Sequence, residues 1–135
     1  IYQTHNYYND YKKDHDNQLK SMEEGLQILA DHKRKWSVPI LSGEFNFWEF
    51  TDIWERWLSL LNENGISWST WAYKNIDNNK SNNWALFYNC KSEFVDYYRD
   101  EPEEIETKWK KFTTRHYEKN SVLTDVLHHF LYQDF

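Results

Sequence analysis

The six residues VPILSG (38–43) set the strongest constraint on this chain. The run is apolar almost to its end and does not alternate between polar and apolar positions. A strand with one wet face alternates; a strand covered on both faces does not. The neighbours on both sides read as amphipathic helices. NQLKSMEEGLQILADHKRK (17–35) carries Leu19, Met22, Leu26 and Leu29 at spacings of three and four, which makes one apolar stripe. EFTDIWERWLSLLNEN (49–64) puts Phe50, Ile53, Trp54, Trp57, Leu58 and Leu61 on one side, and Gly65 can close it in a left-handed conformation. A buried strand set between such helices implies a parallel sheet with helices packed across it.

The remaining segments extend that alternation. IYQTH (1–5) reads as a first strand, followed by a polar, Tyr-rich loop over 6–16. Asp16 or Asn17 can cap the first helix, and Lys33 to Lys35 suit its C-terminal end. ISWSTWAY (66–73) reads as a third strand, followed by an Asn-rich loop (74–83) and a short apolar WALFY (84–88). Asp100 and Glu103 resemble a capping box, with Pro102 in the first turn of a helix over 103–118. Ser121 caps a last helix over 122–132. Three strands are few for a sheet of this kind and leave open edges.

The bulk properties exclude several function classes. A net charge of −6 argues against a nucleic-acid binder, which needs a basic footprint. No stretch approaches the roughly 20 apolar residues of a membrane helix. The single Cys90 rules out an internal disulfide and a cysteine-based metal cluster. The adjacent His128 and His129 do not face one site on a helix, so no metal is expected there. The chain opens on a strand-like segment without a Met or a signal peptide, which suggests a mature piece or a fragment of something longer. Aromatic residues make up 19%, enough both to fill a core and to build surfaces that stack on flat ligands.

In parallel α/β folds, reactive groups gather at the C-terminal ends of the strands. The first strand delivers His5 and Tyr7 there, the second delivers Glu44, and the third delivers Trp71, Tyr73 and Lys74. A carboxylate, an imidazole, a phenol and a large flat ring on one rim suit a sugar: the ring stacks on its apolar face while the polar groups engage its hydroxyls or anomeric carbon. Each residue also has a plainer reading. Glu44 can cap the helix that follows or pair with a Lys, and His5 can be a satisfied buried histidine. Tyr7 has Tyr8 and Tyr11 as nearby alternatives. Trp68 and Trp71, three apart on a strand, point to opposite faces, and Trp71 is the one nearer the strand's end. Trp54 and Trp57 belong to the core by their helical spacing, and the acidic DEPEEIE is a helix start with a solvated face.

Taken in order, the H-x-Y of His5 and Tyr7, PILSGEF around Glu44, GISWSTWAYK around Trp71 and the closing NNWALFYN resemble the last three β/α units of glycoside hydrolase family 5. These are retaining β-glycanases, cellulases among them, built on a TIM (β/α)8 barrel. The resemblance runs over nearly the whole chain. It implies that Glu44 is the catalytic nucleophile, that His5 and Tyr7 line the cleavage subsite and support it, and that Trp71 forms the floor under the bound sugar. Lys74 and Asn75 would lie in the adjoining loop against a neighbouring sugar.

One departure from the family is large. Its acid/base Glu follows an Asn at the end of the fourth strand, whereas the one Asn-Glu pair here, Asn62-Glu63, ends a helix. A barrel of this kind needs roughly 250 residues, so the chain is expected to be a half-barrel, the C-terminal part of a single catalytic domain. It would be inactive alone, and either the N-terminal half or a homodimer mate would cover its open strands. The substrate would be a β-glucan or similar polysaccharide, the setting extracellular, and no cofactor is needed. A second reading from another class is a non-catalytic carbohydrate-binding module with Trp48, Trp71, Tyr73 and Trp84 as stacking rings.

Overall fold

The computed structural model describes residues 1–7, 14–76, 85–88 and 93–131. Tyr8, Tyr11, Trp84 and Cys90 lie outside them, so their expected roles carry no structural account.

The order is β1 (Tyr2–Tyr7), α1 (His15–Trp36), β2 (Ile40–Asn46), α2 (Thr51–Glu63), β3 (Ser67–Trp68), β4 (Lys74–Asn75), β5 (Phe87–Tyr88), α3 (Pro102–Lys110), a 3-10 turn (Thr114–His116), β6 (Glu118–Lys119) and α4 (Ser121–Leu131). The fold is mixed α/β. Strands β1, β2 and β3 form one parallel sheet in that order. A second small sheet joins β4 parallel to β5, and β5 antiparallel to β6. The expectation of three strands in one sheet is therefore corrected to six strands in two sheets among the described residues.

The core lies between the first sheet and its helices. α2 buries Ile53, Trp54, Trp57, Leu58 and Leu61, each at 1% exposure or less. Each such side chain contributes about 1.5–3 kcal/mol by leaving water. Phe45 and Phe47 of β2 and its loop close on Trp54 and Trp57, with ring centroids 5.3–5.9 Å apart. α4 packs on α2 through Leu123, Val126, Leu127 and Phe130. None of the described helices is long and apolar enough to cross a membrane.

Several element ends differ from the sequence expectation. α1 starts two residues early because Asp14, not Asp16 or Asn17, accepts the backbone N–H groups of Asp16 and Asn17. α3 is capped by Glu101 with Glu104, because Asp100 is occupied by Lys108 at 2.6 Å. It ends at Lys110 instead of running to 118. Thr113 turns its hydroxyl back on the Lys110 carbonyl (3.0 Å), and the β-branched Thr113-Thr114 pair favours leaving the helix. The released segment supplies β6. Asn120, not Ser121, caps α4, accepting from the Leu123 N–H at 3.3 Å. Gly65 does close α2 at φ +59°, and Lys33 of α1 donates to the carbonyls of Asn64 and Gly65 there.

Candidate functional site

The site begins with a register irregularity. Thr4 pairs with Ser42 and His5 with Glu44, so Gly43 is an extra residue on β2, a β-bulge. Regular alternation from Ile40 would send Glu44 toward the helices and Phe45 away from them. The extra residue reverses that parity. Ile40, Phe45 and Phe47 join the helix-side core, and Glu44 faces the opposite side of the sheet with an 18% exposed side chain. Ser69, just past β3, holds the bulge by donating its hydroxyl to the Gly43 carbonyl at 2.7 Å. A side chain at 43 would have to push the exposed Gln3 side chain aside, since a Cβ there would lie 2.6 Å from the Gln3 amide nitrogen.

On β1, the same alternation turns Gln3, His5 and Tyr7 to the Glu44 side. The Tyr7 phenol hydrogen-bonds to Glu44. Burial first, then that bond and the charge of Glu44, hold the phenol well above its ordinary value. Tyr7 is therefore a donor throughout the neutral range. The His5 Nδ1 lies 3.6 Å from Glu44 Oε2, beyond direct hydrogen-bond reach. Its other nitrogen, Nε2, is 3.2 Å from the Gln3 side-chain nitrogen. The His5 and Tyr7 rings meet edge to face at 6.4 Å.

This answers the plainer readings of Glu44. It does not cap α2, whose N-cap position is Phe50 with no side-chain cap bond. Its neighbours across the strand are an imidazole and a phenol, not a Lys. The loop beyond it is fixed from both sides: the Trp48 N–H donates to Asn46 Oδ1 at 2.9 Å, and the Trp48 carbonyl accepts from the Trp54 indole at 3.2 Å. Trp48 itself sits at φ +54°.

The third group of expected residues is placed differently from the first two. Trp68 packs on the core and donates its indole N–H to Asn62 Oδ1, while Trp71 stands 56% exposed. The peptide between Trp71 and Ala72 is cis. Tyr73 is equally exposed and meets Phe87 edge to face. Lys74 and Asn75 belong to the second sheet. The Lys74 ammonium donates to the Phe112 carbonyl at 2.9 Å and lies over the Tyr117 ring, and Asn75 pairs with Tyr88. The structure thus brings together His5, Tyr7 and Glu44, and ties Lys74 into the neighbouring sheet.

Glu63 is exposed at the C-terminal end of α2, the end of the helix remote from the Glu44 loop. Gln3, Asn46 and Ser69 are supporting residues that sequence reasoning missed. Only Gln3 carried a signal, its spacing of two from His5. No three His, Cys, Asp or Glu side chains among the described residues are grouped to hold a metal ion. Chemically, the arrangement is one oriented, partly exposed carboxylate with a phenol donor: a nucleophile or a base. No family model, curated protein or solved structure matches the chain.

Proposed function

We propose that Glu44 is the nucleophile of a retaining β-glycanase similar to glycoside hydrolase family 5, and that this chain forms the last three β/α units of its (β/α)8 barrel. The observation that carries the reading is the convergence of Tyr7 and His5 on Glu44 at the C-terminal ends of two adjacent parallel strands. The sequential β1-β2-β3 order supports it. So does the sheet face turned away from the helices, where Gln3 is exposed and His5 is half-exposed. The rest of a barrel would cover that face.

In this reading a Glu44 oxygen attacks the anomeric carbon and the glycosidic C–O bond breaks. The departing oxygen takes a proton from a second carboxyl group, protonated at that stage, about 5 Å away. That second group comes from a segment outside this chain. A water deprotonated by the same group then cleaves the glycosyl ester and regenerates Glu44. Tyr7 holds the carboxylate in line by its hydrogen bond, and Trp71 offers a flat face beneath the sugar. The substrate class is a β-glucan, and the setting is extracellular.

The test uses the gene product that carries both halves of the barrel. It is treated with an activated 2-deoxy-2-fluoro-β-cellobioside, and the labelled peptide is mapped by mass spectrometry. The expected adduct is on Glu44; an adduct on any other carboxylate overturns the assignment.

The exposure of Trp71 and Tyr73, 56% each, favours a second reading: a non-catalytic sugar-binding module. It predicts that Glu44→Gln leaves sugar binding unchanged and that no added polypeptide yields hydrolysis.

A further inference from the structure

The segment before α3 and α3 itself enclose an open cleft of about 560 Å³, lined by Ile76, Glu93, Phe94, Val95, Tyr97 and Trp109 among others. That volume falls within the roughly 300–1,000 Å³ of small-ligand sites. Phe94 is 84% exposed, Tyr97 66% and Trp109 53%, in a molecule that buries Trp54 and Trp57 almost completely. Clustered exposed rings mark a binding surface.

The two walls are cross-linked before any ligand arrives. Glu93 is paired with Lys111, just beyond α3, and Asp100 with Lys108 of α3 at 2.6 Å. Asp100 also accepts the Asp96 N–H at 2.8 Å. The Tyr97 and Trp109 rings are thereby set 6.2 Å apart and inclined at 63°. A cleft fixed in this way loses little freedom on binding.

Three properties select the ligand. Glu93 in the lining is neutralised by its pair with Lys111, so the cleft suits an uncharged molecule. The ring faces call for flat apolar surfaces. Two platforms at 63° cannot lie together on one plane, which excludes a flat crystalline surface and fits a free, twisted chain. We propose that this cleft binds a single soluble β-linked oligosaccharide, as a site separate from Glu44. The choice of a sugar among flat neutral ligands rests on the hydrolase reading above; the location and the inclined platforms do not.

The experiment is a titration of the isotopically labelled protein with cellohexaose, followed by NMR, with light scattering on the same samples. The expected result is a shift of the Trp109 indole N–H signal. Affinity should fall at least about tenfold in Trp109→Ala and Tyr97→Ala. Trp109→Tyr, which keeps a ring, should restore it and shows that the loss is not misfolding. The Trp109 signal reports binding without any turnover, so failure of the hydrolase reading leaves this result standing. An unmoved Trp109 signal at saturating sugar overturns the proposal. So does binding that is lost in Trp71→Ala and kept in Trp109→Ala, which places the sugar on the Glu44 rim. Self-association abolished by Trp109→Ala also overturns it, because a second copy would then be the occupant.

Discussion

Tyr7 is the residue on which the proposed chemistry depends most after Glu44. Tyr7→Phe keeps the ring and removes the phenol donor that reaches the carboxylate. Under the proposed glycanase reading it should lower kcat/KM about 10²-fold with the fold intact, read from aryl-glycoside kinetics beside a thermal melt. In the core, the Trp57 indole N–H is buried and has no acceptor among the described residues. An orphaned buried donor costs about 1–3 kcal/mol. Trp57→Phe removes that cost and leaves a small void, so urea denaturation should find it within about 1 kcal/mol of the parent. Leu61→Ala at equal burial should cost about 2–5 kcal/mol. That Trp54 and Trp57 are core was legible from their helical spacing. That one of them carries an unsatisfied group was not, because it depends on which atoms surround the ring.

Elements were more legible than their ends. The stripe over Leu19, Met22, Leu26 and Leu29 gave α1, and the alternation of strand and helix gave the first parallel sheet. The caps shifted by a residue or two because several acidic and amide side chains compete at each helix start, and the choice falls to tertiary partners such as Lys108 for Asp100. The second sheet was not legible: its strands are two residues long, too short for any period to show. The bulge that aims Glu44 was hidden for a related reason. Gly43 was visible, but its pairing with β1 was not.

One contact between elements makes a pH prediction. His15 at the start of α1 meets Asp52 at the start of α2 at 2.7 Å, beside Asp16 and edge-on to Phe50. The hydrogen bond to Asp52, then that to Asp16, raises the imidazole above its ordinary 6.5. The same bond to His15 lowers Asp52 below 3.8. The His15 contribution is full below pH 6.5 and is lost as pH rises through the raised value. The Asp52 contribution is present above pH 3.8 and is lost as pH falls through the lowered value. Asp52→Asn should therefore lower Tm most between these two values and converge on the parent in alkali. The exposed setting keeps the effect small.

At the scale of the whole molecule, stability should be uneven. α2 and β2 hold the largest buried side chains, whereas β4, β5 and β6 contribute two residues each. Native-state hydrogen exchange should give the slowest amides in α2 and β2 and the fastest in the second sheet. Equal protection in both would contradict this division. The bulge has a further consequence, which concerns chain length. β2 is one residue longer than its neighbour needs, yet all six β1–β2 partnerships, from Tyr2 with Ile40 to Tyr7 with Asn46, exclude Gly43. Shortening the chain by that one position breaks none of these six partnerships, and it removes the carbonyl that accepts the Ser69 hydroxyl. A residue added anywhere else in the strand has no such slack to absorb it. Length variation among descendants of this sequence should therefore collect at position 43.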